Sequence, residues 1–365
     1  MEVERRKNAV PVELLGKSQQ ELREWMASLG EPAYRGAQVY HALYAERRFS
    51  FAEMTNLPVA LRERLGREAT ISLPAIARKY HSADGSVRYL LPLGGEPAGE
   101  VARAATVESV FMPSEGRQTI CISTQAGCTV DCKFCLTATL GLVRNLTAGE
   151  IVGQVLVALA DHRERLAPRT NVVLMGQGEP LLNYEATMAA VRILLDPNAL
   201  ALSPRHVTLS TSGIVPGIVR LAQEKVRPKL AVSLNASNDA ERDAIMPINR
   251  KYPLAALIDA CRRYPLRPWE RLTFEYVLLG GVNDSAEDAR RVVRLLSAIR
   301  AKVNLIPWNR GELPFRPPAK EPLEEFRRIL SDKDVPVFVR YSRGQDIFAA
   351  CGQLAVIESG IEARA

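Results

Sequence analysis

No stretch of this 365-residue sequence reaches the roughly 18 consecutive apolar residues that a membrane-spanning helix needs. Its opening, MEVERRKNAVPVELLGKS, is polar and charged and lacks the apolar core of a secretory signal. The expectation is a cytoplasmic protein without a membrane partner. Cysteine is scarce, six residues in all, and too unevenly spread for the dense disulfide framework of a small secreted domain. The 23 glycines and 23 prolines are close to average usage, which excludes collagen-like and low-complexity chains. No repeat of fixed period is present. What remains is a chain with 47% hydrophobic residues, enough for a large core in one domain with an appendage or in two domains. Its net charge of +7 suits a polyanion partner without establishing one.

Residues 17–67 carry helical periodicity. In SQQELREWMASLG the apolar Leu22, Trp25, Met26 and Leu29 recur at helical spacing, after the N-cap candidate Ser18 and before Gly30. Two further segments, AYRGAQVYHALYAER and LPVALRERLGRE, repeat the pattern, so a small helical domain is expected over 1–75. Its arginines, among them Arg23, Arg35, Arg47, Arg48, Arg62 and Arg64, form either a solvated face or an RNA-facing patch. Over 76–113 the pattern shifts to period two, with turns at DGS, GGEPAGE and SEGR, and reads as a β-rich connector. From Thr147 onward strand-like and helical runs alternate: NVVL, HVTLST, KLAVSLN, RLTFEYVLL, AKVNLIP and VPVFVRYS are separated by amphipathic helices. Such βα alternation implies a parallel sheet with helices outside, a partial or full barrel, whose ligands gather at the carboxyl ends of the strands.

Three cysteines, Cys128, Cys132 and Cys135, stand in C-x3-C-x2-C spacing. Three thiolates so spaced can hold one [4Fe–4S] cube by three corners and leave its fourth iron without a protein ligand. A structural zinc site would want a fourth Cys or His, and the nearest histidine, His162, lies beyond a predicted helix. Zinc and three metal-free structural cysteines remain the alternatives.

The triplet, with Phe134 before its last cysteine, resembles the signature of radical S-adenosylmethionine (SAM) enzymes, in which the amino and carboxylate groups of SAM chelate the open iron. Met175-Gly176-Gln177-Gly178-Glu179-Pro180, after the strand NVVL, is similar to the family's GGEP-type motif. Ser210, Ser233-Leu234-Asn235 and Asn309, each near a predicted strand end, match SAM-contacting positions. The resemblance implies an α/β fold: a partial (β/α)6-type barrel over 114–345, with a C-terminal segment over 346–365.

The strings ESVFMP, CISTQAGC, MGQGEPLLN, LAVSLNA, MPINRKYPL, VNLIPWN and AACGQLA narrow it further, to the RlmN/Cfr family of RNA adenosine methyltransferases. That resemblance assigns Cys351 as methyl carrier, Cys121 as the thiol that releases the product by forming a disulfide with Cys351, and Glu108 as proton acceptor. It implies two SAM molecules per methyl group, 23S rRNA and tRNA as substrates, a flavodoxin-type reductant protein as electron donor, and a monomer. Without it, Cys351 would read as a small buried hydrophobe, Cys121 as part of a buried strand, and Glu108 as a salt-bridged surface residue. Arg343-Gly344-Gln345-Asp346-Ile347 resembles the adenine C2 type more than the C8 (Cfr-like) type, which is the alternative. A non-catalytic RNA-binding iron–sulfur redox protein is the alternative outside the family. Gln177, Leu136 and Phe348 depart from the family pattern and bear on the shape of the mouth. Cys261, on the apolar stripe of a predicted helix, reads as core.

Overall fold

The computed structural model describes residues 10–94 and 105–355. The polar start of the chain, most of the GGEPAGE turn, the first residues of the strand expected from Val101, and 356–365 of the C-terminal segment lie outside them. The chain divides into two compact units: Met1–Ala75 with Leu146–Leu166 and Glu185–Ser203, and Ile76–Asn145 with Ala167–Tyr184 and Pro204–Ala365.

In the first unit, β1 (Val12–Glu13) pairs in parallel with β2 (Ala69–Thr70), and between them run α1 (Gln19–Ser28), α2 (Tyr34–Tyr44) and α3 (Val59–Glu68). Ser18 begins α1 with a capping box, its Oγ accepting from Glu21 N at 3.2 Å and its own N donating to Glu21 Oε2 at 2.7 Å. Leu22 and Met26, one turn apart, form the buried stripe. Part of the arginine face is spent on local structure. Arg48 pairs with Glu46 at 2.7 Å, Arg62 donates to Ala52 O at 2.7 Å, and Arg64 donates to Glu68 at 3.0 Å and to Leu29 O at 2.9 Å.

The second unit begins with β3 (Arg78–His81), β4 (Val87–Pro92), β5 (Thr106–Ser114) and β6 (Arg117–Cys121), followed by β7 (Gln125–Gly127), α4 (Leu136–Thr139) and β8 (Leu142–Asn145). After α5 (Ala148–Asp161) the alternation runs β9 (Thr170–Leu174), α6 (Tyr184–Leu195), β10 (Val207–Thr211), α7 (Val215–Ala222) and β11 (Lys229–Ser233). It ends with α8 (Asp239–Ile245), α9 (Leu254–Arg262), β12 (Leu272–Leu278), α10 (Ala286–Leu296), β13 (Ala301–Pro307), α11 (Lys320–Ser331) and β14 (Val337–Val339). Helix α5 and nearly all of α6 belong to the first unit.

One ten-stranded sheet runs in the order β14-β13-β12-β11-β10-β9-β6-β5-β4-β3. All neighbours from β6 to β14 are parallel, and β3 to β6 are antiparallel. The β-rich stretch is thus built into the barrel sheet: Cys121 of β6 pairs with Val110 of β5 on one side and Val173 of β9 on the other. Along β12, Tyr276 packs outward on Phe326 of α11, with ring centroids 5.1 Å apart, so Glu275 and Val277 face the opposite way, into the barrel. Cys261 is buried on α9 as expected. Among the described residues no helix is long and apolar enough to cross a membrane.

Candidate active site

The cysteine loop starts where only glycine fits. Gly127 has φ +77°, and a Cβ there would stand 1.8 Å from Gly141 O, the atom that accepts from Cys128 N at 2.9 Å. Asp131, at φ +57°, turns the chain between Cys128 and Cys132, and Val130 N points at Cys128 Sγ from 3.5 Å. Phe134 anchors the end of the loop: its ring packs with Met246, Leu279 and Trp308, and its carbonyl accepts from Trp308 Nε1 at 3.1 Å.

All three thiols line one cavity of about 1060 Å³ at the carboxyl ends of the barrel strands, together with Glu179. Burial raises each of them, Cys128 to about 12, and the Cys132 thiol is raised further by Cys135 and Cys128 beside it. As thiolates they would concentrate negative charge that the buried Arg242, acting on Cys132, offsets only in part, which suits a cationic guest. Among the described residues no three His, Cys, Asp or Glu side chains converge as ligands of a single ion. Thiols spread around one cavity instead fit a cube taking one ligand per corner.

The loop after β9 forms the next wall. Gly178 has φ +94°, and a Cβ there would approach Gln125 N to 2.7 Å. Glu179 is buried; its Oε2 accepts from Ser212 N at 2.7 Å, its Oε1 from Leu181 N at 3.1 Å, and burial raises its pKa. Ser210 and Ser233 line the cavity. Asn235 does so with its amide already engaged, Oδ1 accepting from Val277 N at 2.8 Å and Nδ2 3.2 Å from Met246 Sδ. Leu234 does not face the cavity: its side chain is in the core, and its N donates to Glu275 O at 2.9 Å. Asn309 lines the cavity but also ties the C-terminal segment, donating to Ser342 Oγ at 2.9 Å and to Cys351 O at 3.1 Å.

Sequence reasoning missed two residues. Arg242 of α8 is fully buried and donates to Leu234 O, Ser233 O and Ser212 O at 3.0, 3.0 and 2.7 Å, gathering the carboxyl ends of β10 and β11. On a short polar helix it carried no signal. Glu275 of β12 lines the cavity, with Oε1 accepting from Asn304 Nδ2 at 2.9 Å and its pKa raised by burial. A carboxylate inside the apolar run LTFEYVLL was a readable signal.

Cys351 lies on an exposed turn after a short 3-10 segment (Gln345–Ile347), where it lines both the cluster cavity and a second cavity of about 900 Å³. Protein crowds its thiol from the cavity side and raises it to about 11, with the charge of Glu275 adding to the effect. Cys121 lines the second cavity, and its thiol rises to about 12 through burial and then through the charge of Cys351. Leu136 N donates to Gly352 O at 2.8 Å and Thr137 Oγ1 to Leu354 O at 2.6 Å, fixing the turn beside the cysteine loop.

Glu108 lies on the β5 face that carries Val110 and Met112, but it lines neither cavity. It is buried in an ion pair with Arg88, and Gln177 Nε2 lies 3.4 Å from its Oε2. Of the alternative reading, a salt-bridged surface residue, the ion pair is present but the surface position is not.

A parallel barrel with a three-cysteine loop and a glycine-glutamate loop at its mouth defines a radical SAM protein, and residues 122–296 match the model of the Radical SAM superfamily. Residues 12–71 match that of the "Ribosomal RNA large subunit methyltransferase N-terminal domain". The chain is 49% identical over 347 residues to the "Probable dual-specificity RNA methyltransferase RlmN" of Koribacter versatilis, covering 90% of this chain and 97% of that one. It is 48% identical to the "Dual-specificity RNA methyltransferase RlmN" of Anaeromyxobacter dehalogenans, covering 92% and 90%. The crystal structure of a radical SAM methyltransferase from Sphaerobacter thermophilus superposes with a TM-score of 0.86 at 43% identity, covering 94% of this chain and 99% of that one. The chain belongs to the RlmN family of radical SAM RNA methyltransferases.

Proposed function

We propose that this chain methylates C2 of adenosine in 23S rRNA and in tRNA beside the anticodon, with Cys351 as the methyl carrier. The observation that carries this reading is the place of Cys351, a thiol on the wall shared by the cavity of Cys128, Cys132, Cys135 and Glu179 and the cavity of Cys121. Adenine C2 is an electrophilic C–H carbon that cannot displace a methyl group from a sulfonium. When bound, the [4Fe–4S] cluster and SAM supply the methyl group and the one-electron chemistry this carbon demands.

The protein's own part is to hold, expose and release. Cys128, Cys132 and Cys135 hold the cluster. Gly178 and Glu179 receive the methionine amino end of SAM, Ser210, Ser233, Asn235 and Asn309 contact the remainder, and Leu234 supplies the backbone that sets its two neighbours. The Cys351 thiol, raised by crowding, is protonated at neutral pH, so its alkylation requires loss of that proton. Cys121 lines the second cavity with Cys351, so its thiolate can attack the Cys351 sulfur; the S–S bond forms as the S–CH2 bond to the base breaks, and the departing carbon takes up a proton to become the methyl group. Glu108, to which the family resemblance gives the proton leaving the adenine carbon, lines neither cavity, so that role requires its carboxylate to leave Arg88 and turn toward the base. The enzyme acts as a cytoplasmic monomer and draws electrons from a flavodoxin-type reductant protein.

The test is anaerobic reconstitution with SAM and rRNA or tRNA fragments, followed by nucleoside analysis. The expected product is 2-methyladenosine, with Cys351→Ala forming none while SAM cleavage persists. Formation of 8-methyladenosine would overturn the C2 assignment, and full methylation by Cys351→Ala would overturn the carrier.

A further inference from the structure

We infer that the second cavity is the pocket for the target adenine, and that Tyr341 stacks on an RNA base at its mouth while Arg340 meets the adjoining phosphate. This inference rests on the RNA reading above and assigns residues that lie outside the cluster and SAM site. The cavity spans about 900 Å³ counted out through its open mouth, so a ligand can enter it from the surface. Met112, Val173, Met175 and Ile306 give it apolar walls for a neutral heteroaromatic ring, with Cys121 and Cys351 on its lining. A base held there would meet both thiols, whereas Glu179 and Asn235 belong to the other cavity alone.

The rim carries the second argument. Tyr341 lines the cavity yet is 69% exposed, an aromatic face spent on no described neighbour. A target base must leave its stack to enter the cavity of the two thiols, and an exposed aromatic ring at the entrance repays part of that stacking. The two arginines of the rim differ. Arg343 is consumed by Asp84, whose Oδ2 lies 3.3 Å from its Nε, and by Pro113 O. Arg340 donates through Nε to the neutral Asn304 Oδ1 at 3.2 Å, lies over Phe338, and makes no ion pair among the described residues. Its charge acts on the buried Glu275 but is held in no direct pair among the described residues, which leaves the exposed guanidinium open to a phosphate.

The experiment compares wild type with Tyr341→Ala, Tyr341→Phe and Arg340→Ala in cluster-loaded enzyme. It reads RNA-fragment binding by fluorescence anisotropy, KM and kcat for methylation, and S-methylation of Cys351 by intact mass. Tyr341→Ala is expected to weaken binding and raise KM about 5- to 100-fold, the range of one lost base–aromatic stack, with Tyr341→Phe restoring most of it. Arg340→Ala should lower the slope of log affinity against log salt by about one. Both variants should methylate Cys351 as wild type does, because SAM occupies the other cavity. Unchanged RNA affinity in Tyr341→Ala, an equal loss in Tyr341→Phe, or loss of Cys351 methylation would each overturn the inference. A wild-type enzyme that methylates Cys351 but no RNA would instead overturn the function on which it rests.

Discussion

Replacing Arg242 with methionine keeps most of the buried volume and removes four hydrogen bonds. The guanidinium serves Leu234 O, Ser233 O, Ser212 O and Asn249 Oδ1 at 3.0, 3.0, 2.7 and 3.0 Å. Leu234 O keeps a second donor, Ala236 N at 2.8 Å, so its loss is partial. Each buried acceptor left without a partner costs about 1–3 kcal/mol. The charge itself is held at a cost, since burial pulls the pKa of Arg242 down to about 10, and methionine relieves that cost. The net loss should be about 3–5 kcal/mol. It falls on the carboxyl ends of β10 and β11, so SAM affinity should drop at least tenfold along with it. Anaerobic denaturant titration of the cluster-loaded protein and equilibrium dialysis with SAM read the two effects. Arg242→Lys, keeping the charge and a single donor group, should recover less than half of either. A loss below about 1 kcal/mol with SAM affinity intact would refute the claim that this arginine shapes the site.

Gly178→Ala forces a side chain into φ +94° and against Gln125, so it should abolish SAM binding in dialysis while iron content stays at the wild-type level. For Glu275 the sign follows from burial, which raises its pKa: the ionised carboxylate is disfavoured in the folded state, and the stability it contributes when protonated is lost as pH rises through that raised value. Glu275→Gln should therefore gain stability relative to wild type as pH rises above the ordinary carboxylate range in thermal melts; a parallel pair of curves would contradict this. Asp84 holds the C-terminal segment through Gly344 N at 3.0 Å and Arg343 Nε at 3.3 Å. Discounted for its exposure, loss of that charge in Asp84→Asn should weaken the hold by about 1 kcal/mol and speed alkylation of Cys351 about fivefold by peptide mass mapping.

Local rules carried the sequence reading where the chemistry is local. Ser18 with Glu21, three cysteines within eight residues, and glycine before Glu179 declare themselves because each motif closes its own interactions within a few residues. Interactions that close over distance stayed hidden. Arg88 and Glu108 are diagonal neighbours across two strands, Arg88 facing Val110 and Leu90 facing Glu108, so their pairing depends on a register that alternation does not fix. Arg242 reads as a solvated residue on a short polar helix, and only the approach of two strand ends turns it inward. Asn309 matched a SAM contact by position, but its amide also answers to Ser342 and Cys351, which arrive from the end of the chain.

The proposed carrier role of Cys351 gives a reason for its place on a turn. A cysteine on a barrel strand points into the barrel or out of it and would serve one cavity. Cys351 instead occupies a short turn whose carbonyls are taken by Asn309 from beyond β13 and by Leu136 from α4, so the backbone is fixed on two sides while the sulfur stands between two spaces. Phe348, three residues earlier, is held at φ +52°, a conformation costly for a bulky residue and tolerated only where surrounding contacts over-determine it. Gln353 supplies such contacts, accepting from Ala350 N at 3.2 Å and donating to Arg310 O at 2.7 Å. The Cys351 residue thereby borders both cavities from one turn, so the proposed reaction places its two halves within reach of a single backbone position.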